Sequence, residues 1–271
     1  MPRPIRVSLF IPPTRLASYS AVRDQVTAAE ETGADILFGY DHFFPPEVTG
    51  FKDGVPELAD PQPDLPNFEP LTALAAWAEQ TSRPELGLLV TGVGYRNPDL
   101  LADIARTIDH ISGGRHILGL GAGWYKPDYD EYGYEFGTFT TRFKLFEESL
   151  ERITARFAKL NPAPTRHIPV LIGGGGEKKT LPLVAKHADI WHSFSDLESL
   201  HRKKDILTGL LEQNGRAADA VEISQNWPGA EQADAYVAAG VTLFNVDYRL
   251  DDPEKVAAVR EIIAWRDKAN G

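Results

Sequence analysis

Four stretches of this 271-residue chain bring together residue types that can do chemistry. Tyr40-Asp41-His42-Phe43 sets a carboxylate beside an imidazole. An imidazole can give or take a proton near neutral pH, and a neighbouring carboxylate can tune it; a loop cap of the same composition would serve no chemistry. Thr91-Gly92-Val93-Gly94-Tyr95-Arg96 and Gly119-Leu120-Gly121-Ala122-Gly123-Trp124 are glycine-rich runs in which backbone could approach a flat ring, although each could equally mark a turn. The strongest pattern is Ile172-Gly173-Gly174-Gly175-Gly176-Glu177-Lys178-Lys179-Thr180. Here glycines follow an apolar run and open a helical one, so free N–H groups and a positive helix end converge in an anion cradle. The spacing puts Lys178 and Lys179 in the first helical turn, where acidic residues are ordinarily preferred. A flexible turn is the alternative, but each glycine inside an element costs up to roughly 1 kcal/mol against alanine, which favours phosphate binding. The Gly-Lys-Ser/Thr ending of a nucleotide-triphosphate loop is missing, so phosphoryl transfer is not implied.

Other chemistries fall away on composition. With no cysteine, the chain has no disulfide, thiolate nucleophile, iron–sulfur cluster or Cys-ligated zinc. Its seven histidines are dispersed, His187 and His192 straddle a helix end and a strand, and no His-Glu-x-x-His occurs, so no metal is expected. A Gly-x-Ser-x-Gly elbow is also lacking. A net charge of −11 repels phosphate backbones and anionic lipid, which excludes nucleic acid as the expected partner. Arg202-Lys203-Lys204 accordingly reads as a solvated helix face. Trp77 reads as helix core, whereas Trp124, Trp191 and Trp227 are candidates to line a pocket. No run of 18 apolar residues occurs, and Met1 to Pro13 is too short and too strand-like for an export signal, so the cytoplasm is the expected compartment.

These residues need a scaffold, and the apolar periodicity supplies one. It alternates between two and 3.6 residues: strands at Ile5–Ile11, Asp35–Phe38, Leu86–Thr91, His116–Leu120, Val170–Ile172, Ile190–Phe194, Val221–Ser224 and Val241–Val246. Helices follow at Ser20–Thr32, Leu71–Thr81, Pro98–Ile111, Arg142–Phe157, Lys178–His187, Leu197–Gln213, Glu231–Ala239 and Pro253–Lys268. The Pro98 helix is entered through Asn97 and stopped by Gly113 and Gly114. Eight strand–helix pairs predict an α/β TIM-type (β/α)8 barrel formed by residues 1–271 as one domain. A doubly wound open sheet would carry its glycines on the first strand–helix turn, and that turn reads Pro12-Pro13-Thr14. Phe44 to Glu69, with six prolines, cannot be helical and is the expected lid. In such a barrel the catalytic face is built from the loops leaving the strands, where all three glycine runs and His42 fall.

In this order the motifs resemble the bacterial luciferase-like monooxygenase superfamily, and more closely its branch of oxidoreductases using the deazaflavin coenzyme F420. The resemblance is carried by Gly33-Ala34-Asp35 leading to Asp41-His42-Phe43, by Phe68-Glu69-Pro70-Leu71-Thr72, and by Thr91 to Pro98. Ser112-Gly113-Gly114-Arg115, Gly119-x-Gly121-Ala122-Gly123-Trp124, the Ile172 to Lys179 run and Ala188-Asp189-Ile190-Trp191 complete it. It implies a ring held across the strand ends, with a non-proline cis bond at Gly92-Val93 pressed against it. Gly173 to Gly176 would hold the cofactor phosphate, and Thr91, Gly92, Val93, Gly121, Ala122 and Gly123 would flank the ring. His42 matches the proton-handling position, with Asp41 orienting it; Arg96 and Lys178 would meet anionic parts of the coenzyme, and Glu69 would border the pocket or cap a helix. The implied reaction is hydride transfer between F420 and a small organic substrate. An FMN-dependent monooxygenase activating oxygen and a cofactor-free binding protein are the alternatives, and a homodimer is the expected assembly. Between Leu150 and Pro169 the chain is shorter than the family pattern. The acidic coenzyme requires a local basic patch, expected at Arg96, Arg166, Lys178 and Lys179.

Overall fold

Alternate residues along each strand face two different layers, and both layers are apolar. The computed structural model describes residues 3–12, 16–52, 55–60 and 64–271; Met1, Pro13 and Thr14, named above, and two prolines of the expected lid, Pro61 and Pro63, lie outside them. The chain begins with β1 (Arg6–Phe10), α1 (Tyr19–Glu31) and β2 (Ile36–Gly39). An antiparallel hairpin follows, β3 (Val48–Lys52) with β4 (Val55–Leu58), where the prolines predict only irregular chain. Next come α2 (Pro70–Gln80), β5 (Glu85–Leu88), the two-residue β6 (Thr91–Gly92), α3 (Pro98–Ser112), β7 (His116–Gly121), α4 (Lys126–Tyr132) and α5 (Phe139–Phe157). The second half contains β8 (Val170–Gly173), α6 (Thr180–His187), β9 (Ile190–His192), α7 (Leu197–Gln213), β10 (Glu222–Asn226), α8 (Ala230–Ala238), β11 (Val241–Asp247) and α9 (Pro253–Asn270).

Parallel pairing runs β5-β2-β1-β11-β10-β9-β8-β7, and a β5–β7 pairing closes the ring, so the fold is the expected eight-stranded α/β barrel. Ile36, Phe38, Ile117, Leu171, Ile190 and Leu243 fill the interior, joined by Phe10, Leu89 and Val90. Their chain neighbours, such as Leu37, Leu118, Ile172, Trp191 and Phe244, point outward under the helices. Burial on both faces is what a parallel sheet requires. The two helices that follow the second and third barrel strands start on side-chain caps: Asn97 accepts from Asp99 and Leu100 N–H with Pro98 at the first position of α3, and Glu69 accepts from Thr72 N–H at α2. Gly113, with φ 66°, ends α3 in the left-handed region.

The third barrel strand is broken. A non-proline cis bond lies at Leu89-Val90, three residues before the expected Gly92-Val93. Beyond it β6 rejoins the sheet against β7, pairing Thr91 with Leu120. The turned-in side chain is therefore Val90, whose methyl groups stand 2.8 Å from where a Cβ on Gly121 would be and 3.2 Å from one on Gly173. Gly119 is closer still to its neighbour strand, since a Cβ there would meet the Leu88 carbonyl oxygen at 1.9 Å. These glycines provide space for Val90 and β5 rather than a special turn.

Replacing Gly119 by alanine should therefore lower unfolding free energy by about 1–3 kcal/mol or more, the cost of forcing atoms into a packed interior. Gly209→Ala, inside α7 with open space around it, should instead stabilise by about 0.5–1 kcal/mol. Urea denaturation of both variants checks this pair of opposite signs; equal effects would contradict the packing argument.

Candidate active site

His42 follows β2 at the carboxyl-terminal end of the barrel, ringed by Tyr40, Trp124 and Tyr125 at centroid distances of 5.4, 5.5 and 5.3 Å. Its Nδ1 lies 2.7 Å from Oδ2 of Asp128, a fully buried residue of α4. The same oxygen accepts the Tyr95 hydroxyl at 2.8 Å, and Oδ1 accepts the backbone N–H groups of Phe43 and Phe44 at 2.9 and 3.0 Å. No described residue bonds Nε2 of His42.

Asp41, expected to orient His42, does something else. It is fully buried and forms a two-pronged pair with Arg96, at 2.6 and 3.0 Å, while Arg96 also holds Glu69 at 2.5 Å. Burial pushes the Asp41 carboxyl up and the guanidinium opposes it. Burial works against the Arg96 charge as well, and its two carboxylates more than offset it. Arg96 is thus paired with two carboxylates of the chain itself. Glu69 fills both expected roles, capping α2 and bordering a cleft of about 360 Å³ lined by Phe43, Asn67, Phe68, Tyr95, Arg96, Tyr132 and Tyr134.

The glycine runs separate into different jobs. Thr91, Gly92 and Val93 are buried, and a Cβ on Gly92 would strike the Tyr95 ring at 2.8 Å, so they support the site from behind while Val90 faces the mouth. Gly123, at φ 79°, yields its side-chain space to the Tyr129 hydroxyl, 2.0 Å from a notional Cβ. Tyr129 is held neutral there, burial pushing its phenol up to about 12. Ala122 is half-buried against the core.

The run Gly173 to Gly176 does form an open loop. Gly174 donates to His192 O at 2.9 Å, and Trp191 Nε1 supports it from below by donating to Gly174 O at 2.7 Å. Among the described residues the N–H groups of Gly175 and Gly176 have no partner in the chain. Helix α6 starts at Thr180, so Lys178 and Lys179 sit in the turn before it, both exposed, and not in its first turn. The cation placed over Gly175 is Lys203, expected on a solvated helix face. Lys203 Nζ stands 2.8 Å from a notional Cβ on Gly175 and donates to Ser195 Oγ at 3.0 Å; Ser195 meets Ser193 at 3.1 Å, and Gln225 donates to Ser193 at 2.7 Å. Leu200, Lys203 and Leu207 share one face of α7, which is the spacing that could have revealed it. Arg202 does face outward, pairing with Glu177. Arg166 pairs with Glu85 at the opposite, amino-terminal end of the strands and is no part of a patch at the mouth.

The other tryptophans divide likewise. Trp77 is helix core as expected, Trp124 is 42% exposed beside His42, and Trp191 and Trp227 pack in the outer layer. Among the described residues, no helix is long and apolar enough to cross a membrane.

The sequence profile of luciferase-like monooxygenases matches residues 5–238, and the chain belongs to that family. It is 31% identical over 212 residues to phthiodiolone/phenolphthiodiolone dimycocerosates ketoreductase of Mycobacterium tuberculosis, covering 76% of this chain and 51% of that one. It is 30% identical over 177 residues to F420-dependent glucose-6-phosphate dehydrogenase of Amycolatopsis mediterranei, covering 59% and 47%. The chain thus spans about half the length of the curated relatives it matches. In fold it resembles the solved F420-dependent secondary alcohol dehydrogenase in complex with an F420-acetone adduct, with TM-score 0.79, 13% identity and coverage of 97% and 99%.

Two buried histidines set an acid limit on this scaffold. His192 in β9 and His116 in β7 are each held down at about 4, chiefly by burial. Unfolded, each takes a proton near pH 6.5. Between those values the unfolded chain binds more protons, so stability present above pH 6.5 is lost as pH falls toward 4, by about 3 kcal/mol per histidine. His192→Asn should remove about half of that contribution, read from urea midpoints between pH 7 and 4; an unchanged slope would mean that His192 is not carried neutral.

Proposed function

We propose that the barrel mouth binds coenzyme F420 and that the protein transfers a hydride between it and a small organic substrate, with His42 as proton donor or acceptor. The observation that carries this reading is the pairing of two sites around Val90: a glycine loop with Lys203 over it at the end of β8, and an imidazole with an uncommitted Nε2 at the end of β2. Relatives named for F420 add support. A phosphate group fits the loop chemically. Gly175 and Gly176 would donate N–H groups, Lys203 and Ser195 would add charge and a hydroxyl, and a Cβ on Gly175 would collide with Lys203. Lys178 and Lys179, exposed beside the loop, are the cations left to meet the acidic tail.

Bound there, the coenzyme supplies a carbon that takes or gives a hydride, so two electrons move together. The chain supplies the rest. In the oxidising direction a substrate C–H leaves as hydride and the O–H proton passes to His42 Nε2; in the reducing direction His42 returns that proton to the carbonyl oxygen. Val90, Gly121 and Gly173 would lie under the ring as an apolar floor, and Trp124 and Tyr125 flank His42. The aromatic cleft beside Glu69 and Asn67, the last residues of the expected lid, suits an apolar part of the substrate.

Thermal-shift and absorbance titrations with F420 and with FMN test the reading. F420 at 100 times its Kd should stabilise the protein by about 2.7 kcal/mol. Lys203→Met should weaken F420 binding by about 10-fold or more, a loss of the order of one charge-assisted hydrogen bond. Stabilisation by FMN with oxygen consumption and none by F420 would replace the proposal with the monooxygenase reading; silence toward both would leave a binding protein.

A further inference from the structure

Asp128 belongs to no motif singled out in the sequence, and its four contacts assign the protons around His42. Three of the four groups it touches are donors, two backbone N–H groups at Oδ1 and the Tyr95 hydroxyl at Oδ2, and the fourth is His42 Nδ1, also at Oδ2. The residue is fully buried, so no water competes for its lone pairs. A carboxylate offers only acceptors, and backbone N–H groups cannot reverse. The fourth contact is the one that could in principle run either way, and an acceptor at Nδ1 would need a proton on an oxygen that already receives the Tyr95 hydroxyl.

We infer that Asp128 is the positioning residue of the site. It holds His42 in the tautomer with hydrogen on Nδ1, so that the neutral ring presents a bare, accepting Nε2 among Tyr40, Trp124 and Tyr125. The tautomer of a histidine is set by the bond its other nitrogen makes, and here that bond is to a buried anion. The consequence is a specific preference in the ligand: the neutral enzyme accepts a hydroxyl donor at Nε2 and repels a bare carbonyl there, whereas a carbonyl is accepted only once His42 is protonated. The inference deepens the proposed proton-handling role of His42 and is independent of which coenzyme the mouth takes.

Asp128→Asn gives an asymmetric test. The two backbone donors keep the amide oxygen on the Phe43 side, so the amide nitrogen falls opposite His42 and Tyr95, donor against donor. Relief requires His42 to give up its Nδ1 hydrogen and carry it on Nε2. Long-range 1H–15N correlation spectra of the coenzyme-free protein at alkaline pH, where the ring is neutral, read this directly, with the His42 resonances assigned by their loss in His42→Gln. The wild-type ring should show a protonated Nδ1 and a bare Nε2, Asp128→Asn should exchange the two, and Tyr95→Phe, which removes a donor but no charge, should keep the wild-type pattern. Hydrogen on Nε2 in the wild type, or an unexchanged pattern in Asp128→Asn, overturns the inference. Because no coenzyme is present, failure of the F420 reading would show separately, as absent binding with the tautomer unchanged.

Discussion

Asp128 carries an acidic side chain into a part of the molecule closed to water, and the surrounding chain is arranged to make that tolerable. A carboxylate stripped of hydration costs several kcal/mol unless donors replace the lost water. Here they come from the turn after β2, which supplies His42 and the N–H groups of Phe43 and Phe44, and from Tyr95 in the loop before α3, so two segments distant in sequence are pinned to one point of α4. Stability and function meet in this arrangement. The interactions that satisfy Asp128 are the same ones that aim His42, and the Asp41–Arg96–Glu69 cluster next to it ties the starts of α2 and α3 to the same turn.

On the β5–β7–β8 side of the barrel the constraint is steric. Val90 turns into the mouth where the third strand is interrupted, and Gly119, Gly121 and Gly173 lack the side chains that would exclude it. The polar features sit on either flank, His42 beyond β2 and the Gly174–Gly176 loop beyond β8. The barrel order, in which β5 and β7 separate those two strands, sets the span across which a ring system with a phosphate-bearing tail is proposed to lie.

Much of this was legible in the residues. Strict alternation of strand and helix periods predicts the barrel, and the glycine runs fall at strand ends as expected. What sequence periodicity did not show has physical reasons. The helix α4 has seven residues and opens with Lys126-Pro127, too short to declare a period, although Tyr125, Asp128 and Tyr129 form one buried face that places the carboxylate among aromatics. Asp41 adjoins His42 in sequence, but successive side chains on an extended segment point apart, and that divergence sends one to Arg96 and the other to Asp128. Lys203 was grouped with its neighbours by charge, whereas position on the helix separates it from Arg202. The hairpin within the Pro-rich segment has no alternation strong enough to read against its prolines.

One mouth is proposed to hold a phosphate at the Gly175 loop and a hydride-carrying ring within reach of His42. A crystal structure of the protein soaked with F420 tests this most directly. Phosphate density bonded to Gly175, Gly176 and Lys203 is expected, with the ring against Val90 and on the Nε2 side of His42. Coenzyme density elsewhere on the protein, or a ring in the mouth turned away from His42, would contradict it.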